Sequence, residues 1–267
     1  MEYTVIKYER RGCAAWITYN DPENMNAITP TQIAEVGDAL TRAEQDPDAR
    51  VIVLTGSGRA FCAGANLKKN NQLLAQDADM VVREFLQPLK LLLRRLRESP
   101  RPVIAAVNGY CMAGGMETLL CCDLVVAVEG AIMGDQHATF GLLPAVGGAQ
   151  GLVRTLGMMR AKEMMFTGGR YTASELHAWG LVNKVVPAAD LVSATQALAE
   201  HLGERSPSGL ARMKQLANDE AEMPWDAATR YELAVTFGHF FTGDVQEGMQ
   251  AFAEKRKPNF RAPHGGS

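Results

Sequence analysis

The hydrophobic positions along this chain fall into three regimes. In the first, residues 3–10 and 13–19 read as two β-rich runs around Arg11-Gly12, a hairpin signal that lacks the favoured Asn-Gly pair. At Thr29-Pro30 the period changes. Threonine offers a helix cap, proline takes the first helical position, and Ile33, Val36, Ala39, Leu40 and Ala43 form an apolar stripe that ends at Asp46. Three short and almost wholly apolar runs follow at 51–54, 103–107 and 124–128, the pattern of strands covered on both faces. Each leads through glycine into a helix-like segment, and a further run at 181–186 follows a short helical stretch at 173–179. Strands and helices that alternate in this way predict an α/β fold.

In the third regime, from Asp190 onward, the spacing is helical: 191–202, 208–218, 225–241 and 245–253, separated by Ser-Pro, Met-Pro and Thr-Gly punctuation. The expected organisation is an α/β core over 1–189, a helical region over 190–260 and a disordered Gly- and Pro-rich tail over 261–267. No internal repeat or low-complexity tract is visible. Met158-Met159, Met164-Met165 and the run 85–96 read as helix core, and Cys121-Cys122 as part of a buried helix. Asp123, just before a strand, reads as a structural cap or ion-pair partner.

Composition narrows the class. A chain of 267 residues, 47% hydrophobic, buries one good core without staples. Its cysteines, at 13, 62, 111, 121 and 122, form no CxxC pair and have no histidines at zinc spacing, which implies a reducing setting and no structural metal. A formal charge of −3 and a pI near 6.0 argue against a nucleic-acid surface. The start, MEYTVIKYER, has the layout of neither a secretory signal nor a transit peptide, so the expected location is cytoplasmic. The longest apolar stretches, such as 103–107 and 119–128, fall short of the roughly 20 residues of a membrane span.

Two segments could carry chemistry, FCAGANLK and NGYCMAGGMETLL, because small residues cluster where a strand gives way to a helix and backbone N–H groups are free. Gly114-Gly115 would open a helix whose first turn holds Glu117, near the positive end of the helix dipole. From spacing alone two readings stay open: a tight turn with a favourable helix start, or a site with a catalytic carboxylate. A phosphate loop fits less well, since neither GxxxxGK[ST] nor GxGxxG is present.

The blocks FCAGANLK, RPVIAAVNGYCMAGGMETLLCCDLVVA, FGLLPAVGGAQGLVRTLG, MMFTGGRYTASELHAWGLVNKVV and EGMQAFAEKRKPNF, in that order and over nearly the whole chain, resemble the crotonase superfamily of enoyl-CoA hydratases and isomerases. The resemblance implies a spiral core of repeated ββα turns carrying an acyl-CoA site, a C-terminal helical region used in assembly, and a homotrimer or dimer of trimers. It also implies acyl-CoA thioester substrates, with no cofactor beyond the coenzyme A of the substrate and no metal, nucleic acid or membrane partner. The matching oxyanion-hole donors are the amides of Ala65 and Gly114. Such fixed donors stabilise an enolate oxygen more than the starting carbonyl, and small residues let the backbone approach the ligand. Ala63, Ala65 and Leu67 match positions around the CoA adenine and pantetheine, and Phe252 and Lys255 match residues that reach CoA from a neighbouring subunit; Lys68 is a further candidate to meet phosphate. Both lysines also fit plain solvated surface charges.

Glu117 falls where hydratases of the superfamily carry the first of two catalytic glutamates. The second should stand twenty residues on, where this chain has His137. An imidazole there can move a proton near neutral pH, coupled to Glu117, or can simply line the pocket. The loop position that holds the carboxylate of some isomerases is Ala145. The leading expectation is therefore addition of water to a 2-enoyl-CoA, with Glu117 and His137 as the catalytic pair. The alternatives are double-bond isomerisation by one base, C–C or thioester hydrolysis with His137 as base, and a non-catalytic binding role that the acidic pI and Glu117 disfavour.

Overall fold

The computed structural model describes residues 2–260. Its first hairpin is β1 (Ile6–Arg11) and β2 (Ala14–Tyr19), antiparallel with Arg11 opposite Ala14, and Gly12 takes the left-handed turn position at φ 54°. Helix α1 (Pro30–Gln45) starts as its sequence demands: the Thr29 hydroxyl accepts the Gln32 amide and Pro30 sits in the first turn. Then comes a repeated unit of a long buried strand, a short strand and a helix. The first is β3 (Val51–Gly56), β4 (Ala60–Cys62) and α2 (Leu67–Leu74), followed by α3 (Ala78–Val81), a π turn at Val82–Leu86 and α4 (Gln87–Glu98). The second is β5 (Val103–Val107), β6 (Tyr110–Met112) and α5 (Gly114–Leu119). The third is β7 (Leu124–Val128) and β8 (Ile132–Gly134), a 3-10 turn at His137–Phe140, then α6 (Gly148–Leu156) and α7 (Met158–Thr167). The chain returns through β9 (Tyr171–Thr172), α8 (Ala173–Ala178) and β10 (Lys184–Val186) to α9 (Leu191–Gly203), α10 (Pro207–Glu220), α11 (Trp225–His239) and α12 (Gly243–Ala253).

The long strands build one sheet in the order β1-β2-β3-β5-β7-β10, parallel after the first pair; the short ones build a second in the order β4-β6-β8-β9. Each ββα unit thus feeds both sheets, and successive units stack as turns of a spiral. Glycines let the turns close. A Cβ at Gly56 or Gly109 would collide with the carbonyl oxygen of Ala60 or of Arg59, so the corner between the two sheets tolerates no side chain there. Val51–Leu54 and Val103–Val107 are fully buried, which is why they read as unbroken apolar runs. Helix α9 lies across β2, β3, β5 and β7, with Thr195 and Ala199 wholly buried and Gln196 Oε1 accepting the Trp16 indole N–H at 2.9 Å.

Several expectations need correction. Met158 and Met159 are 52% and 79% exposed, because α7 turns Ala161 and Met164 inward instead. Cys121 and Cys122 lie in the turn after α5, not in a helix, and the 181–186 run yields strand only at Lys184–Val186. The expected tail, 261–267, lies outside the described residues. Asp123 does pair: it accepts from the Val103 amide and from Lys214 Nζ, both at 2.7 Å.

Candidate active site

The second sheet delivers the chemistry. Strands β4, β6 and β8 run parallel, and all three end at one edge, where Ala63–Ala65, Ala113-Gly114 and Asp135–His137 follow. The loop after β4 is pinned by its bridge to Ile28: the Ile28 amide donates to Gly64 O at 2.8 Å and the Asn66 amide to Ile28 O at 3.0 Å. That ladder uses the Gly64 carbonyl and the Asn66 amide, so the Ala65 N–H, on the opposite side of its peptide plane from the Gly64 carbonyl, points away from Ile28. Gly64, at φ 94°, packs against the start of α5 so closely that a Cβ there would stand 3.1 Å from Gly114 N. A Cβ on Gly114 would in turn meet Ile28 at 3.0 Å and Ala65 N at 3.6 Å. The amides of Ala65 and Gly114 are therefore close neighbours, and among the described residues neither donates to a protein acceptor. Ala113, between β6 and α5, holds φ 49° and ψ −116°, a conformation that costs an L-residue of order 1–3 kcal/mol.

Glu117 projects from the first turn of α5 and is 4% exposed. Its Oε1 accepts two amides from the segment before α6, Val146 at 3.0 Å and Gly148 at 3.1 Å. Gly148 is required here, since a Cβ would stand 2.9 Å from Glu117 Cγ. With Oε1 occupied, Oε2 is the oxygen left for chemistry, and it faces His137 Nε2 at 4.0 Å. Burial raises the Glu117 pKa above its ordinary 4.5, against the lowering pull of the Val146 and Gly148 amides and of His137.

His137 sits in the 3-10 turn after β8. Its other ring nitrogen, Nδ1, is 3.0 Å from Asp135 Oδ2, while its amide donates to Asp135 Oδ1 at 3.2 Å. Burial alone would lower the imidazole pKa; the hydrogen bond and charge of Asp135, with the charge of Glu117, outweigh it and hold it above the ordinary 6.5. The result is a row, Asp135, His137, Glu117, in which two buried carboxylates flank a partly buried imidazole.

A cavity of about 410 Å³ opens from this row, and Ala63, Ala65, Leu67 and His137 line it. Lys68 is exposed beside Leu67 and is not part of the wall. Phe252, 83% exposed, and Lys255 belong to the end of α12 and do not line this chain's own cavity. The structure thus gathers Ala63, Ala65, Leu67 and His137 at the cavity wall, sets Glu117 beside His137 and Gly114 beside Ala65 behind it, and leaves Phe252 and Lys255 apart. Sequence reasoning missed Asp135, the two amides that hold Glu117, and Arg59 and Arg170, which also face the cavity. The GDQH spacing was the one available signal for Asp135, since an aspartate two residues before a histidine in a turn reaches that residue's amide.

The chain as a whole is similar to known proteins. The sequence profile described as enoyl-CoA hydratase/isomerase matches residues 9–263. A mitochondrial enoyl-CoA hydratase of Pongo abelii is 37% identical over 97% of this chain and 88% of its own length. A crotonyl-CoA hydratase of Syntrophomonas wolfei is 36% identical over 97% of this chain and 99% of its own. The crystal structure of an enoyl-CoA hydratase from a Polaromonas species superposes with a TM-score of 0.91 at 34% identity, covering 95% of this chain and 98% of that one. A profile matched over nearly the full length, relatives of this identity and a shared spiral of ββα turns have one meaning: the chain belongs to the enoyl-CoA hydratase/isomerase family, within the crotonase superfamily.

Proposed function

We propose that this protein is an enoyl-CoA hydratase that adds water across the α,β double bond of a 2-enoyl-CoA. The observation that carries the reading is the placement of one buried carboxylate, Glu117, with a free Oε2 beside an imidazole and two unpaired amides. In the forward direction, Glu117 Oε2 takes a proton from water as the oxygen bonds to Cβ. The π electrons move to the thioester oxygen, and the N–H groups of Ala65 and Gly114 hold the enolate. His137 Nε2–H then gives a proton to Cα as the carbonyl re-forms. The proton left on Glu117 crosses the 4.0 Å gap to His137 Nε2 and resets the site. One water is consumed and no net proton is released, so the step balances.

Ala63, Ala65 and Leu67 bed the pantetheine, Arg59 and Lys68 offer cations to the CoA phosphates, and Phe252 and Lys255 reach the CoA of a neighbouring copy in a homotrimer or dimer of trimers. Among the described residues no helix is long and apolar enough to cross a membrane.

The test is to mix the purified protein with crotonyl-CoA and follow loss of the conjugated absorbance together with 3-hydroxybutyryl-CoA. Wild type should form the hydroxyacyl product, and Glu117→Gln should lose about 100-fold or more in kcat while staying folded. Isomerisation is the second reading, favoured by the lack of a second carboxylate at 137, since one base can shuttle the proton between carbons. Conversion of a 3-enoyl-CoA with no hydroxyacyl product from either substrate would put it in place of hydration.

A further inference from the structure

We infer that Asp135 is a positioning residue of this site: it fixes His137 with a proton on Nδ1 and aims Nε2 at Glu117 and the reacting carbons. The inference deepens the hydratase reading and rests on it.

The geometry carries the assignment. Asp135 is 1% exposed, directly after β8, and both its oxygens are spent on His137: Oδ1 accepts the backbone amide at 3.2 Å and Oδ2 lies 3.0 Å from Nδ1. A carboxylate has no proton to give, so the 3.0 Å contact requires Nδ1–H as donor. That leaves Nε2 as the nitrogen exposed to the cavity, 4.0 Å from Glu117 Oε2. The backbone bond and the ring bond together form a two-point clamp, so the ring can neither rotate about χ1 nor flip without breaking a buried contact.

Position 137 makes the clamp necessary. A carboxylate presents two equivalent oxygens and needs no tautomer control, whereas an imidazole has two distinct nitrogens and must be told which one faces the reaction. A buried aspartate on the far nitrogen is the usual means, because it selects the tautomer and stabilises the imidazolium. Three other charged groups bear on the ring or its neighbours. Glu117 faces Nε2. Arg170, just before β9, reaches the Gln136 side chain at 3.4 Å, and Arg59 lines the cavity. Neither arginine contacts the imidazole, so the ring answers to the two carboxylates.

Asp135→Asn keeps the volume and removes the charge. An asparagine amide would donate to Nδ1, which would place the remaining ring proton on Nε2 of a neutral imidazole. That ring can neither act as an acid of useful strength nor take the proton back from Glu117. With crotonyl-CoA as substrate, kcat of Asp135→Asn should fall by about 100-fold or more with KM changed no more than about two-fold, and the alkaline limb of the kcat profile should move to lower pH. A purely structural role would lower the amount of folded enzyme and leave that limb in place. Asp135→Glu, which restores the charge, should recover part of the loss. If Asp135→Asn is folded and keeps wild-type kcat and alkaline limb, the inference is overturned. Nitrogen-15 spectra of His137 in the wild-type protein give an answer that needs neither turnover nor a variant. The proton must reside on Nδ1 when the ring is neutral, and a neutral ring with its proton on Nε2 would overturn the assignment. Wild type that fails to hydrate crotonyl-CoA but shows the Nδ1–H ring would instead refute hydration and leave the clamp standing.

Discussion

Glu117 and His137 are both pushed towards the protonated state, by different causes, and the two shifts set opposite limbs of one pH profile. Glu117 works as a base and must be ionised, so activity should be lost as pH falls through its folded pKa, which burial has raised above 4.5. His137 works as an acid and must be protonated, so activity should be lost as pH rises through its folded pKa, which Asp135 and Glu117 keep above 6.5 despite burial. A bell-shaped kcat profile for crotonyl-CoA hydration is the expected outcome, its two apparent values belonging to the pair. His137→Gln should remove the alkaline limb and spare the acid one; a variant that keeps both limbs would show that His137 only lines the pocket. The same shifts bear on stability. Both groups bind protons more tightly folded than unfolded, so the folded state gains from them at low pH and loses as pH rises, for His137 from about 6.5 upward. The stability of His137→Gln should therefore fall less steeply above that pH than that of wild type.

At the scale of elements, one side chain ties the C-terminal helices to the spiral. Lys214 of α10 is 8% exposed at its side chain, and its Nζ donates to Leu96 O and Arg101 O, each at 3.2 Å, and to Asp123 Oδ2 at 2.7 Å. Asp123 in turn holds the first amide of β5, so the contact joins α10, the end of α4 and the turn beneath the Glu117 helix. Lys214→Met would leave the partly exposed Asp123 carboxylate without its cation and should cost about 1 kcal/mol in urea unfolding at pH 8. Burial already raises the Asp123 pKa against the pull of Lys214, so in the variant the acid protonates more readily and the deficit should shrink towards pH 5. An equal deficit at both pH values would mean that packing of the lysine stem, not charge, makes the contact. Sequence spacing reached Asp123 as a structural partner but not Lys214, which sits in a helix where most lysines are solvated. Legibility followed the same line elsewhere. The long strands were readable because burial on both faces removes every polar residue from β3 and β5 over 51–54 and 103–107. Strands β4, β6, β8 and β9, two or three residues each, carry no period and were invisible, although they position the whole site. The Glu117 and His137 positions followed from their spacing within a family resemblance. The Val146 and Gly148 donors are backbone groups and leave no mark in side-chain chemistry.

The molecule as a whole exposes more large apolar surface than one soluble chain has reason to carry. Phe166 is 73% exposed, Met159 79% and Leu143 82% on the α6–α7 side, while Trp225 at 81%, Phe241 at 72% and Phe252 at 83% stand on α11, α12 and the turn between them. Residues of this type at such exposure mark surfaces that other chains cover. The proposed occupant is a second copy of the same chain, and the proposed trimer or dimer of trimers is tested by light scattering: a mass of three or six chains at micromolar concentration is expected, and a monomer would remove the assembly. The end of α12 links assembly to binding. Lys255 takes a left-handed conformation, φ 54°, where its amide donates to Phe252 O at 3.2 Å and Arg256 N reaches Ala251 O at 3.0 Å, so it closes the helix and projects its ammonium away from the core. Asparagine tolerates that conformation, which makes Lys255→Asn a substitution that removes the charge with little cost to the fold. If the ammonium meets a CoA phosphate bound to a neighbouring subunit, Lys255→Asn should raise KM for crotonyl-CoA a few-fold and leave kcat unchanged, because phosphate contacts act alike on substrate and transition state. The increase should weaken as salt screens the phosphate, while the oligomer mass stays that of wild type. An unchanged KM at low salt in the assembled protein would make Lys255 a surface charge and leave coenzyme A to Ala63, Ala65, Leu67, Lys68 and Arg59 of the chain that binds it.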